Sequence, residues 1–284
     1  MITNDEALKT EGLSRSYRFI FPERSLRGKH GELLGKNVGG AVEFHDHRPY
    51  FLGDDIRHID WLVYGRSGSF VLKSYREEVT PTTEIISDFS RSMGMDDAKE
   101  RLSRMLTLFL VNVFRANSVT PVLWKCGTSP EKILFGHRET AAIEPYDGRA
   151  SLMGLVEGHY IKSKPNSMRV IISDFLFPHK ADVLLRRLSS RAAGLLVIQI
   201  VSREDTDPDA VGGFLLEDCE TREEFSLRIT QDIIDSYRQR INNISAALEK
   251  TSRQLGGGFI RVHASDGLEG TIRKLIREGY LAPV

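Results

Sequence analysis

The chain has 284 residues, enough for one large α/β domain and a smaller module, and its 40% hydrophobic content supports a buried core. Its 39 lysines and arginines balance 39 aspartates and glutamates, so no global field points to nucleic acid or to an anionic membrane surface. Cys126 and Cys219 stand far apart and in no metal-ligand spacing, which argues against a disulfide framework or a zinc site, and no apolar run reaches the length of a membrane span or forms a signal peptide, so the expected location is the cytoplasm.

From Leu13 to about Thr83 the sequence mixes Gly, Arg, His and aromatics without a helical period. It carries short alternating pieces, Ala41-Val42-Glu43-Phe44 and Ser69-Phe70-Val71-Leu72-Lys73, so residues 1–83 are expected to form an irregular, β-rich module. After Glu84, strands and helices alternate in the pattern of a doubly wound, mostly parallel sheet, and residues 84–284 are assigned to it. The run Glu84-Ile85-Ile86-Ser87 reads as a buried strand. It leads to a helix over 97–116 whose apolar positions Leu102, Met105, Leu106, Phe109, Leu110 and Val113 recur at helical spacing.

Strands over 119–125 and 132–135 follow around a Gly127-Thr128-Ser129-Pro130 turn, then a short helix over 151–157 and the strand Met168 to Asp174. A helix over 180–190, a strand over 195–201, a hairpin over 213–229 expected to pack on the first module, and a long helix over 231–254 continue the chain. Gly256-Gly257-Gly258 stops that helix, and a strand over 259–263 and a helix over 268–278 complete the pattern.

Asp88-Phe89-Ser90-Arg91-Ser92 places a carboxylate and two hydroxyls at alternate positions just past the first buried strand. Alternate side chains of an extended segment point the same way, so Asp88, Ser90 and Ser92 can converge, and hard oxygen donors suit Mg²⁺. The same residues would also serve as a loop and helix cap. Asp174 ends a second apolar strand, and in a parallel sheet its carboxylate emerges on the same edge, which adds a second acidic donor. Its alternative role is to cap the next helix.

A denser group of acids and arginines comprises Glu43, Arg48, Tyr50, Asp54, Asp55, Arg57, Asp60, Trp61 and Arg66. Arginine forks pair bidentately with carboxylates, so the economical account is an internal ion-pair lattice, and the rival account is a docking surface. His30, His45, His47 and His58 fall in the same module at spacings that match no metal motif. Asp88 lacks the second aspartate of haloacid-dehalogenase-like phosphatases, and neither a phosphate-binding Gly-x-x-x-x-Gly-Lys-Ser/Thr loop nor a Gly-x-Ser-x-Gly elbow is present.

The series Glu43-Phe44, Arg48, Tyr50, Gly53-Asp54, Arg57, Ile59-Asp60-Trp61, Arg66, Lys73, Glu77-Glu78 and Asp88-x-Ser90-x-Ser92-Met93 resembles the bacterial family catalogued as domain of unknown function 58. Asp207-Pro208 and Asp218-x-Glu220-Thr221 extend the similarity over most of the chain. The resemblance implies a von Willebrand factor A-like (Rossmann-like) domain preceded by the signature module. It also implies an adaptor or co-chaperone role beside MoxR-type AAA+ ATPases, whose genes commonly accompany the family. Asp88, Ser90 and Ser92 match the first motif of a metal-ion-dependent adhesion site, and Asp174 looks like its distal aspartate. Where such domains often read Thr-x-Leu, this chain reads Ala150-Ser151-Leu152, so a third hydroxyl would have to come from Ser151. Many family members carry two N-terminal membrane helices, and this chain resembles the subset without them.

Three functions are therefore carried forward. The first is a protein-binding module, not an enzyme, in which Mg²⁺, or Mn²⁺ or Ca²⁺ in its place, leaves a coordination position for a partner's carboxylate. The second is a metal-dependent phosphoester hydrolase. The third is a metal-free scaffold acting through the arginine-rich module.

Overall fold

A computed structural model of the protein describes residues 4–21, 42–77, 82–134, 146, 148–219 and 222–284. The chain divides into two compact units, Leu26–Thr80 and Met1–Ser25 with Pro81–Val284. In chain order, the larger unit opens with helix α1 (Asn4–Ser14) and strand β1 (Tyr17–Phe19). The smaller unit pairs β2 (Val42–Pro49) antiparallel with β3 (Val71–Glu77) and holds helix α2 (Trp61–Ser67) between them in sequence. Asp60 starts α2 by accepting from the Leu62 and Val63 amides, and Gly68 stops it in the left-handed region at φ 67°.

The larger unit resumes with β4 (Thr83–Asp88), α3 (Asp97–Ala116), β5 (Val122–Cys126), β6 (Pro130–Leu134), α4 (Leu152–Glu157) and β7 (Met168–Ser173). Then come α5 (Ala181–Leu188), β8 (Gly194–Val201), the short α6 (Arg203–Thr206) and the hairpin β9 (Gly212–Glu217) and β10 (Glu224–Ile229). The long α7 (Gln231–Gln254), β11 (Gly258–His263), α8 (Gly267–Arg277) and β12 (Leu281–Pro283) close the chain. Six strands form a sheet in the order β11-β8-β7-β4-β5-β6, parallel except for β6.

Alternate residues of the central strands feed two cores on opposite faces. Ile85, Val170, Ile172, Leu196 and Ile198 join Leu106, Phe109 and Phe114 of α3, while Ile86, Ile171, Leu195 and Val197 join Leu184 of α5 and Leu248 of α7. Truncating a side chain as enclosed as Phe109 is expected to cost about 3–5 kcal/mol.

The boundary expected at 83/84 differs from the structural one, because residues 4–21 pack within the larger unit. β1 pairs with β12, Glu6 of α1 pairs with Arg101 of α3, and Phe19 lies against Phe114 at 4.8 Å. The apolar residues of α1 form no continuous stripe, so periodicity alone does not reveal it. The irregular, β-rich module expected there holds the paired strands β2 and β3 but also a helix, α2, whose Asp60 cap and Gly68 stop are visible in the sequence. No helix among the described residues is long and apolar enough to cross a membrane.

Candidate functional site

The sheet reverses its winding between β4 and β7: β4 passes to β5 on one side, whereas β7, β8 and β11 extend from the other. Connections leaving the carboxyl ends of strands at such a reversal diverge, and ligands of open α/β sheets bind there. Asp88 is the last residue of β4, Asp174 directly follows β7, and Asp205 lies just past β8. The expected acidic edge is therefore present, with one more carboxylate than the sequence reading named.

Asp88 is fully buried. Its Oδ1 accepts from the Ser90 amide at 2.9 Å and its Oδ2 from the Ser173 hydroxyl at 2.6 Å. The Ser90 and Ser92 hydroxyls lie 3.0 Å apart, but the chain does not stay extended as the strand reading expects: Arg91 is in the right-handed helical region and Ser92 opens a 3-10 turn, so the turn and not strand alternation brings them together. Burial, and then the nearby Asp174 carboxylate, push the Asp88 carboxyl up to about 7, against the pull of the Ser173 and Ser90 hydrogen bonds.

Asp174 is also fully buried but has a different neighbourhood. Oδ1 accepts from the Leu176 amide at 3.1 Å, Oδ2 from the Lys99 ammonium at 3.1 Å, and its backbone carbonyl from Gln199 Nε2 at 3.0 Å. Ser245 of α7 orients Gln199 through a 2.6 Å bond to its Oε1. The following residue, Phe175, is buried at φ 58°, a left-handed conformation that an aromatic residue rarely adopts, and strain of this kind concentrates at functional turns. Lys99 also donates to Asp205 Oδ2 at 2.9 Å, and Asp205 belongs to a capping box with Ser202 at the start of α6. The two carboxylates raise the Lys99 ammonium above its ordinary value although burial opposes them.

Ser151, the proposed third hydroxyl, caps α4 by accepting from the Gly154 amide at 3.2 Å. The loop before it is pressed against the Asp88 motif. Gly148 exchanges backbone bonds with Phe89 and Arg91, and a Cβ at Gly148 would lie 2.5 Å from Gly127 Cα and 2.8 Å from the Phe89 carbonyl, so only glycine fits. The Arg91 guanidinium reaches the Cys219 carbonyl in the turn between β9 and β10 at 3.4 Å, linking the hairpin to the motif.

Among the described residues no three His, Cys, Asp or Glu side chains gather as a metal-holding group. A cation at this edge would rest on one carboxylate, Asp88, and the converging hydroxyls of Ser90 and Ser92, an oxygen set that fits Mg²⁺ with water completing the shell. Asp174 is held by Lys99, so it is not a free inner ligand. A cavity of 640 Å³ between α1, α3 and α8 contains none of these residues.

In the smaller unit the acid–arginine group forms short-range surface pairs rather than a buried lattice. Arg48 grips Asp54 bidentately at 2.7 and 2.8 Å, and Arg57 pairs with Asp55 at 2.6 Å. Asp60 faces His47 at 2.9 Å and Lys73 at 3.5 Å instead of an arginine, and these partners together with its cap bonds hold its carboxyl down to about 2. The Tyr50 ring neighbours Phe70, and Trp61 stands exposed with its edge to Tyr64. No ion pair of Arg66 occurs among the described residues, while the side chain of Glu43 and the whole of His30 lie outside them.

Lys99, Asp205 and Ser173 are the site residues that sequence reasoning missed. Lys99 carried a usable signal: it is a cation in the first turn of an otherwise acid-led helix, where the helix dipole disfavours it.

Open, mostly parallel sheet, buried carboxylate and paired hydroxyls at the switch point define an α/β protein with a candidate site at its carboxyl edge. The chain belongs to the family described as Protein of unknown function DUF58, whose model matches residues 46–250. It is 24% identical over 271 residues to the uncharacterized protein Rv1480 of Mycobacterium tuberculosis (strain ATCC 25618 / H37Rv), covering 89% of this chain and 85% of that one. The uncharacterized protein Mb1516 of Mycobacterium bovis matches with the same identity and coverage. Among solved structures, an aerotolerance-related membrane protein of Bacteroides fragilis superimposes with a TM-score of 0.40 at 12% identity, covering 70% of this chain and 97% of that one. BatB of Bacteroides thetaiotaomicron gives a TM-score of 0.36 at 10% identity, covering 70% of this chain and 98% of its own.

Proposed function

We propose that this protein is a cytoplasmic, non-enzymatic protein-binding module of von Willebrand factor A-like type, acting as adaptor or co-chaperone of a MoxR-type AAA+ ATPase. Asp88, Ser90 and Ser92 hold Mg²⁺ at the carboxyl edge of the sheet. The bound ion supplies an open coordination position to a carboxylate from the partner. The observation that carries this reading is the convergence of the Ser90 and Ser92 hydroxyls beside a buried carboxylate at the switch point.

The adjoining hairpin supports a macromolecular partner. Among the described residues β9 and β10 pair only with each other, and Leu215, Phe225 and Leu227 stand exposed on them. Apolar side chains on a two-stranded ribbon gain from being covered. Hydrolysis is the weaker reading, since Asp174 is engaged by Lys99 and Asp88 is itself the carboxylate that would hold the cation, so neither is left as a general base.

The test is capture of a purified, nucleotide-free MoxR-type ATPase by the immobilised full chain, in Mg²⁺ and in EDTA, together with calorimetric titration of the chain with MgCl₂. Capture that needs Mg²⁺ and disappears in Asp88→Ala is expected. Equal capture in EDTA and by Asp88→Ala would remove the cation from the reading, and turnover of phosphoesters abolished by the same substitution would replace it with an enzyme.

A further inference from the structure

We propose that Lys99 is a tethered cation that competes with the divalent ion for this site, so that divalent binding at Asp88, Ser90 and Ser92 is weakened until the ammonium leaves Asp174. The inference rests on the metal reading above and assigns its regulation.

The geometry is specific. Lys99 is 2% exposed and its ammonium lies between Asp174 Oδ2, at 3.1 Å, and Asp205 Oδ2, at 2.9 Å. These carboxylates follow β7 and β8, so one ammonium bridges two neighbouring strand ends on the edge where Asp88 ends β4. A lysine at that place violates two ordinary preferences. It sits in the first turn of α3, where the helix dipole repels cations, and it is buried. Contact with two carboxylates is the compensation available to it.

The electrostatic consequence follows from charge. A divalent ion beside Asp88 is drawn by the negative potential of Asp174 and Asp205, and the Lys99 ammonium cancels part of that potential and repels the ion directly. With Asp88 and Asp174 fully buried, solvent screens these interactions weakly. Release of Lys99 would return Asp174 to the site as a water-mediated or direct ligand. The carboxylates would not lose their anchors, since Asp174 Oδ1 keeps the Leu176 amide and Asp205 Oδ2 keeps the Ser202 amide at 2.8 Å. A neutral residue at position 99 therefore leaves the local backbone bonds intact and removes only the counter-charge.

The experiment titrates MgCl₂ into the full-length wild type, Lys99→Met, Lys99→Gln and the charge-retaining Lys99→Arg, with heat as readout. Thermal midpoints are measured in parallel in EDTA and in Mg²⁺. Lys99→Met and Lys99→Gln are expected to bind Mg²⁺ at least about tenfold more tightly than wild type, and to gain more in midpoint on adding Mg²⁺, whereas Lys99→Arg shows neither gain. A neutral variant that folds only in Mg²⁺ gives the same support. Unchanged or weaker affinity in both neutral variants overturns the inference while leaving the metal reading standing if the wild type binds, and no binding in any protein overturns both. A measurement on the wild type guards against variants that fail to fold: the ¹⁵Nζ resonance of Lys99 is expected to shift on saturation with Mg²⁺, and a resonance unmoved by bound Mg²⁺ overturns the inference.

Discussion

Replacing Asp88 by asparagine should make the metal-free protein more stable at alkaline pH while abolishing cation binding. The Asp88 carboxyl is pushed from an ordinary 3.8 up to about 7, first by burial and then by Asp174. Between these values the folded chain retains a proton that the unfolded chain has released, so stability falls as pH rises from about 4 to about 7 and levels off above. At about 1.4 kcal/mol per unit the full loss is about 4 kcal/mol, and relaxation around the ionised group brings the expected value to about 2–4 kcal/mol. Asparagine cannot ionise, and its shape fits the site: its carbonyl accepts from the Ser90 amide and its NH₂ meets the Ser173 hydroxyl. Urea unfolding in EDTA, followed by circular dichroism from pH 4 to 8, should give a falling curve for wild type and a flat one for Asp88→Asn, the two crossing near pH 5. A variant less stable than wild type at pH 8, or a wild-type curve that is flat across this window, would refute the reasoning.

Three further outcomes follow from the packing. Glu84→Gln should lower stability by about 3–5 kcal/mol in the same urea assay, because it leaves the buried Arg169 guanidinium without its counter-charge. Gly148→Ala should cost about 1–3 kcal/mol, since the new Cβ collides with Gly127 and Phe89 backbone, and should weaken Mg²⁺ binding by displacing the motif loop. Asp60→Ala should raise hydrogen exchange at the Leu62 and Val63 amides roughly fivefold by removing the α2 cap. In wild type that protection should persist at pH 3, because a carboxyl held down to about 2, chiefly by His47, loses its contribution only as pH falls through that value.

Much of the larger unit was legible because its signals are periodic. α3 and α7 follow from apolar spacing with the bounds the structure shows, and β4, β7 and β8 from short β-branched runs that are buried on both faces. Asp88, Ser90, Ser92 and Asp174 were legible as a strand-end pattern. The contact between Lys99 and Asp205 is not, since it joins residues 106 positions apart and depends on how β8 lies beside β7. α1 escaped because its helix rests on tertiary packing against α3 more than on its own pattern. The acid–arginine group of the smaller unit reads as one lattice because charge type is visible in sequence and register is not. Once β2 and β3 pair, Asp60 meets His47 and Lys73, and the arginines find nearer acids.

The two ends of β4 show why the carboxyl edge reads as functional. At the amino end, buried Glu84 accepts from Trp124 Nε1 at 3.1 Å, the Lys164 amide at 3.0 Å, the Ser167 hydroxyl at 2.7 Å and Arg169 Nε at 3.3 Å. Arg169 in turn donates to the carbonyls of Lys164, Leu188 and Ser190. Each charge there has a partner of opposite sign, and the network ties β4 and β7 to the segment before β7 and the end of α5. At the carboxyl end, Asp88 has hydrogen bonds but no ion pair among the described residues, and the Lys99 ammonium is committed to Asp174 and Asp205. A purely structural position there would be served as well by asparagine, without the cost of ionisation. A carboxylate kept at that cost, beside two hydroxyls and an ammonium that bridges the neighbouring carboxylates, is the arrangement expected of a site whose missing charge arrives from outside the chain.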